Sequence, residues 1–490
     1  MSNNLNEACG VVGAYDLENR DVSSSLYWGM ISQNHRGHQS YGILTAEDDE
    51  FKTVTGMGLV PVKNGGSIKE LQDLDSNIGI GHVRYATSGD KDKLWDDIQP
   101  YVDEIGGNKI AIGYNGNLVN TTELREELEE KFGTLSSTSD TELLSKKLLE
   151  GYEDGDLESA VEYCMKEVEG SFSVVGIDPR GRLFAFRDPY GIKPLCYGSD
   201  EDESVFAVSS ESVGLSINGL DYKDEIKPGE LLIISENGLE KEIVFESDKN
   251  AFCSFEYDYF ARPDSIFHGK PIYKVREEFG RNLGRENPDI TEKADMIVSI
   301  PKTADDAAYG LHMETGLPWE RAVRKHRYVT SRAFISSSGE RDRIIDKKIN
   351  VDWSRIRGKN VAIAEDSIVR GTTSRSIVRK MKKAGVGDIH LYITFPRIIS
   401  PCFYGIDMTT YDELIGSDHT PEEIADEIGV ASVNYQSIEN FVDAIGLEKD
   451  DLCLGCITGD YPTPQAQKIA KKVKAKFEKG EVESERIYER

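Results

Sequence analysis

The stretch that most constrains this chain runs from Val361 to Arg375, VAIAEDSIVRGTTSR. Val361 to Ala364 form an apolar run of strand length, and Glu365 and Asp366 stand at its carboxyl end. Ser367 to Ser374 make a Gly/Thr/Ser loop that opens an amphipathic helix ending near Gly385. In an open parallel sheet, ligands bind at such a corner. Loop N–H groups and hydroxyls at a helix N-terminus suit a dianionic phosphate, and two carboxylates just upstream suit the vicinal hydroxyls of a sugar. A sugar phosphate is therefore the expected ligand. The loop lacks the Gly-Lys-Ser/Thr ending of a P-loop and the spaced glycines of a dinucleotide fold. An ordinary turn with a polar cap would not need adjacent acids and a run of donors together.

This stretch closely resembles the phosphoribosyl diphosphate (PRPP) motif of type I phosphoribosyltransferases, in the variant carried by amidophosphoribosyltransferases. The resemblance implies that Glu365 and Asp366 hold the ribose hydroxyls and, with PRPP, a Mg²⁺ ion. It also implies that Ser367, Arg370, Gly371, Thr372 and Thr373 cradle the 5-phosphate.

With 490 residues the chain has room for two or three domains. A hydrophobic content of 38% and a mean hydropathy of −0.45 describe a soluble protein. No apolar run reaches membrane-spanning length, and MSNNLNEACG lacks the regions of a signal peptide, so a cytoplasmic location is expected. A formal charge of −29 repels nucleic acid and anionic membrane surfaces, which excludes both as expected partners. Seven cysteines in a cytosolic chain of this size do not suggest a disulfide framework.

The first signal from the N-terminus is Cys9, at the head of the alternating apolar segment CGVVGAY. Strands ending at Thr87 and Val119 follow, then a helix from Thr121 to about Phe132 closed by Gly133. The next helix opens at Ser139, where Glu142 three residues on predicts a capping box. After another helix, strands return in SFSVVGID, RLFAFRD, SVFAVSS and GELLIIS. Strands, then helices, then strands describe a layered α/β sandwich.

The motifs HVRYAT, YNGN, SSTSDTE, RDPYGIKPL and SSES arrive in order and resemble the class II glutamine amidotransferase domain, an N-terminal-nucleophile αββα fold. The resemblance makes Cys9 the nucleophile, with its own α-amino group as base, so Met1 to Ala8 would be a propeptide. It assigns Arg84 to the α-carboxylate of glutamine and Asp140 to its α-ammonium. Asn115 and the Gly116 N–H would form the oxyanion hole.

From about Lys249 the character changes. Strands and helices alternate, as in a parallel sheet, with the Val361 strand among them. Cys253, Cys402, Cys453 and Cys456 lie in this half, in the contexts FCSFEY, SPCFYGID and CLGC. Four thiols with one CxxC can close a metal site if the fold gathers them. Their contexts resemble the ligand positions of amidophosphoribosyltransferases that carry a [4Fe–4S] cluster, which the resemblance favours over zinc. Cys164 and Cys196 are expected to be structural.

The expected architecture is an αββα sandwich followed by a parallel-sheet phosphoribosyltransferase domain. The expected divisions are 1–8 propeptide, 9–245 glutaminase, 246–470 transferase with the cysteine ligands, and 471–490 a charged, solvated helical tail.

The implied activity takes ammonia from glutamine to PRPP, giving 5-phosphoribosylamine, glutamate and pyrophosphate, the first step of purine synthesis. Family members suggest a homotetramer or homodimer. A lid over the transferase site is expected at Arg324 to Phe334, bringing Lys325 and Tyr328 to PRPP. The family's pyrophosphate loop of Pro-Asp-Ser-Gly type is replaced by Pro301, Lys302, Thr303, Ala304, Asp305 and Asp306, without glycine and with two acids. Lys302 is expected to offset them. Glu365 stands where the family commonly has Asp, and the lid is one residue longer. These departures keep open a paralogue with glutaminase activity and a remodelled phosphoribosyl-ligand site.

Overall fold

The computed structural model describes residues 9–47, 50–62, 71, 73–85, 95, 97–152, 155–326, 349–408 and 410–481. Met1 to Ala8, Thr87, Tyr328 and Phe334 lie outside the described residues, as do residues 482–490 of the tail.

The N-terminal half is the expected sandwich. One sheet of seven strands runs in the order Asp221–Glu225, Cys196–Ser199, Val205–Ser209, Gly10–Asp16, Ile78–Arg84, Ser40–Glu47, Glu50–Met57. The other has six, in the order Gly238–Ile243, Glu230–Ser235, Leu183–Arg187, Gly170–Ile177, Asn108–Leu118, Tyr101–Ile105. Val11, Ile80 and Val208 of the first meet Ala111, Val175 and Leu232 of the second in a buried layer. Both sheets need an apolar cover on their outer faces. Helices Thr121–Phe132, Asp140–Gly151 and Leu157–Glu167 cover the six-stranded sheet, and Ser23–Ser32 covers the seven-stranded one.

The Ser139 cap differs from the expected box. Its hydroxyl accepts from Thr141 N, and Glu142 turns away to accept from the N–H groups of Ser136 and Ser137. The preceding loop offers Glu142 two backbone donors where the cap offers one.

The C-terminal half holds a parallel sheet in chain order: Met296–Ser299, Val361–Glu365, Ile389–Ile393, Ser432–Tyr435. Helices Ile272–Glu286 and Asp305–Thr315 bury Leu283, Ala308 and Leu311 on one face. Thr372–Lys383 and Pro421–Ile428 bury Ile377, Met381 and Ile424 on the other. A third core joins the halves, with Val119 and Ile192 packed among Phe255, Phe395, Phe403 and Tyr461.

The last helix, Pro464–Phe477, corrects the expectation of a solvated tail beginning at residue 471. Ala466, Ile469, Ala470 and Val473 make one buried stripe against that joining core, so the helix is docked through the boundary. Among the described residues, no helix is long and apolar enough to cross a membrane.

Candidate functional site

Cys9 immediately precedes the Gly10–Asp16 strand, whose antiparallel partner puts Gly10 opposite Val83. The register carries Cys9 to the end of the Ile78–Arg84 strand. There its thiol accepts from Tyr85 N and donates to Tyr85 O, both at 3.5 Å. Burial raises the thiol pKa, with the Tyr85 hydrogen bond and the charges of Arg84, Arg36 and Lys193 acting the other way. A neutral thiol of this kind needs a base to become a nucleophile.

Arg84 is buried, with Nη2 3.2 Å from Asp97 Oδ2, and Ser137 holds the other oxygen of Asp97 at 2.8 Å. Asp140 opens its helix and accepts at Oδ2 from Leu118 N (3.1 Å) and from the Tyr114 hydroxyl (3.2 Å). Tyr114 is the link between the parts. It feels the charges of Asp140, Cys9 and Arg84, and its carbonyl bonds to His82 Nε2 across the sandwich at 3.0 Å. Burial pushes His82 down to about 3, so the ring is neutral and donates from Nε2.

Asn115 and Gly116 lie in the Asn108–Leu118 strand. Its neighbour on one edge ends at the Tyr101–Ile112 pair, so among the described residues the later positions pair only with Gly170–Ile177. Asn115 is 1% exposed, and neither Nδ2 nor Oδ1 has a hydrogen-bond partner among the described residues. A buried amide left unsatisfied costs about 1–3 kcal/mol, which is tolerable where a ligand will complete it. Gly116 admits no side chain, because a Cβ there would stand 1.9 Å from Ser171 O.

Sequence reasoning missed the charged core behind Cys9. Arg36 is wholly buried and donates from Nε to Cys9 O at 3.2 Å. Its guanidinium takes Glu256 bidentately at 2.7 and 2.9 Å and Glu211 at 2.6 Å. Burial opposes its charge, but Glu256 and Glu211 hold its pKa far above the usual value. The partners are 175 and 220 residues away in sequence, so only a charged residue inside HRGHQ, beside a glycine, hinted at burial.

In the C-terminal half, Glu365 and Asp366 sit at the end of the Val361–Glu365 strand, both buried. Ser374 Oγ donates to Glu365 at 2.9 Å, and Ser367 closes on Asp366 with N at 2.6 Å and Oγ at 3.0 Å. Burial, and then the neighbouring Asp366, push Glu365 up to about 8. Gly371 takes φ +69°, which turns the loop into the helix that starts at Thr372, with Thr373 next. Arg370 pairs with Glu413 at 2.5 Å.

Two further residues here were not legible in sequence. Thr303 donates its hydroxyl to Asp366 Oδ2, which brings the Pro301 loop to the acid pair. Asp258 is buried and accepts from Thr394 Oγ1 at 2.6 Å. The same hydroxyl lies 3.2 Å from Asp366 O. Lys302 is exposed on the loop, and Lys325 ends the short strand Val323–Lys325. Asp305 bonds Ser299 Oγ at 2.5 Å, and Asp306 feels the buried Arg276. Both acids open the Asp305–Thr315 helix, where its dipole favours negative charge.

Cys253, Cys402, Cys453 and Cys456 line one cavity with Ile192, Phe255 and Met408. Cys253 and Cys453 are direct partners across a two-residue parallel pairing. Burial pushes the Cys253 thiol up to about 11. Among the described residues, no group of three or more His, Cys, Asp or Glu is placed so that it could hold a metal ion. Cys164 and Cys196 are buried elsewhere, in a helix and a strand of the sandwich.

A glutamine amidotransferase domain matches residues 82–216. Over 469 residues, covering 95% of this chain and 97% of the relative, the sequence is 38% identical to the amidophosphoribosyltransferase of Methanothermobacter thermautotrophicus. It is 40% identical to that of Methanocaldococcus jannaschii, covering 93% of this chain and 98% of the relative. The chain belongs to the amidophosphoribosyltransferase family. The solved glutamine phosphoribosylpyrophosphate amidotransferase of B. subtilis, complexed with ADP and GMP, superposes with a TM-score of 0.84 at 33% identity. That match covers 93% of this chain and 98% of the other. Both halves of the fold are thus shared with amidophosphoribosyltransferases across nearly the full length.

Proposed function

We propose that the two ends of this amidophosphoribosyltransferase work in series: glutamine hydrolysis at Cys9 supplies ammonia to PRPP held at Glu365 and Asp366. The overall reaction yields 5-phosphoribosylamine, glutamate and pyrophosphate, the first step of purine synthesis. In the first half, Cys9 Sγ attacks the glutamine amide carbon while its proton passes to the Cys9 α-amine, which requires removal of Met1 to Ala8. The oxyanion takes hydrogen bonds from Asn115 Nδ2 and Gly116 N–H; the Cys9 α-ammonium returns its proton to the leaving nitrogen, collapse of the intermediate expels ammonia, and water then releases glutamate from the thioester. The observation that carries this reading is the buried Asn115 amide, whose two polar atoms have no partner among the described residues. Arg84 receives the α-carboxylate and Asp140 the α-ammonium.

In the second half, ammonia attacks C1 of PRPP and pyrophosphate leaves. Glu365 and Asp366 hold the ribose hydroxyls, and the Ser367 to Thr373 loop holds the 5-phosphate, including Arg370, Gly371 and Thr372. The two carboxylates are the residues that would hold Mg²⁺ with PRPP, and the ion would supply charge neutralisation for the pyrophosphate leaving group. Lys302, with Lys325 and Tyr328 of the lid, meets the pyrophosphate. A working site is supported by the acids of the Pro301 loop being partnered, Asp305 by Ser299 Oγ and Asp306 by the charge of Arg276, while Lys302 is exposed.

The four cysteines, Cys253, Cys402, Cys453 and Cys456, would hold a [4Fe–4S] cluster. Four thiols lining one apolar-walled cavity supply the ligand type and number that a cluster needs, and this supports the reading. A homo-oligomer and a cytoplasmic location complete the reading. Incubating the purified protein with glutamine, PRPP and Mg²⁺ should release glutamate and pyrophosphate in equal amounts. Glutamate release without pyrophosphate would favour the paralogue with a remodelled ligand site.

A further inference from the structure

The loop from Cys402 to Met408 carries one of the four thiols on one side and touches the strand of Asn115 and Gly116 on the other. Cys402 N donates to Met408 O at 2.7 Å, and Tyr404 N donates to Cys402 Sγ at 3.3 Å, so the turn is tied to its sulfur. On the far side, Asn117 Nδ2 donates to Phe403 O at 3.1 Å and Ser171 Oγ donates to Tyr404 O at 3.1 Å. Ser171 Oγ also accepts from Asn117 N at 3.1 Å, which locks the peptide that follows Gly116. Gly405 takes φ +93°, and a methyl on it would stand 3.2 Å from Gly116 O. Asn117 and Ser171 are buried, so water does not substitute for these bonds.

A glycine has no side chain to fix its own peptide planes. An oxyanion hole, however, requires its N–H to be aimed before the charge develops, and a misplacement of about 1 Å can cost about a hundredfold in rate. We propose that the Phe403–Gly405 turn is the rear wall of the oxyanion hole, and that Asn117, Ser171 and Gly405 are positioning residues which fix the Gly116–Asn117 peptide and, through the Gly116 Cα, the aim of the Gly116 N–H for glutamine hydrolysis. This rests on the reading of Asn115 and Gly116 as the oxyanion donors. It also makes one three-residue turn the mechanical link between the cysteine cavity and the glutaminase site.

The test is a set of single variants, Ser171→Ala, Asn117→Asp and Gly405→Ala, in the full-length protein, with Asn115→Ala as the reference. Each positioning variant should lower kcat for glutamine hydrolysis by about ten- to a hundredfold, with KM for glutamine within about threefold of wild type. Synthesis of phosphoribosylamine from added ammonia should stay unchanged, because the transferase site is untouched. A merely structural role would lower both activities together and shift KM as well, and that pattern overturns the proposal. So does wild-type glutamine kcat in folded Ser171→Ala and Gly405→Ala. If Asn115→Ala is slow, by about 10²–10³, while the positioning variants are normal, this inference alone fails. If Asn115→Ala is also normal, the oxyanion reading fails with it.

Discussion

Replacing Arg36 by Met should expose how much of the glutaminase half depends on one buried cation. Arg36 neutralises two buried carboxylates, and the two are not equally provided for. Without it, Glu211 keeps His35 Nε2 at 2.7 Å, Ser265 Oγ at 2.6 Å and Arg262 N at 2.9 Å. Glu256 keeps only a distant Lys193 Nζ at 3.9 Å among the described ion pairs. The loss is therefore an uncompensated charge at Glu256, which in buried pairs costs about 3–5 kcal/mol. For a cooperative unit near 150–250 residues each kcal/mol moves the midpoint by about 2–4 °C, so the unit containing Cys9 should melt roughly 6–20 °C lower. Calorimetry of the whole protein, following that transition, measures it. Adding Glu256→Leu should restore more than half of the lost stability, since it removes the stranded charge. A fall below about 2 °C, or a double variant no better than the single, would refute the assignment of Arg36 as the core of that network.

The other expectations concern the C-terminal half. Glu365 is held protonated below about 8, so PRPP affinity with Mg²⁺ should climb as pH rises toward 8 and level off above it. Titration calorimetry checks this, and a flat or falling trend contradicts it. The same raised pKa gives stability that is present below the ordinary value of 4.5 and is lost as pH rises through 8. Lys302→Ala should weaken PRPP by about 1.5–3 kcal/mol while leaving ribose 5-phosphate nearly untouched; equal weakening of both ligands would point the side chain away from pyrophosphate. Cys456→Ser protein prepared without oxygen should lose iron and the brown charge-transfer absorbance of the wild type, and melt lower. A colourless, iron-free wild type would remove the cluster.

Much of the fold was legible because it is written in local patterns. The alternation in CGVVGAY, the Gly133 stop and the Val361 run followed by paired acids each specify one element without help from elsewhere. What was hidden is long-range. Arg36 meets Glu256 across 220 residues, Thr303 meets Asp366 across 63, and Asn117 meets Phe403 across 286. None of these pairs has a spacing that a periodicity could flag. The Ser139 cap failed for a related reason: Glu142 had competing donors in the N–H groups of Ser136 and Ser137, and two of them outweighed the one at the cap. The last helix looked solvated because its lysines are many, but four small or branched residues at helical spacing were enough to dock it.

The central claim, two sites joined by ammonia, is tested most directly by the Cys9→Ala protein supplied with PRPP and Mg²⁺. The account predicts no phosphoribosylamine from glutamine and wild-type rates from added ammonium at alkaline pH. Loss of the ammonia-dependent rate as well, or synthesis from glutamine that survives without the thiol, would contradict it.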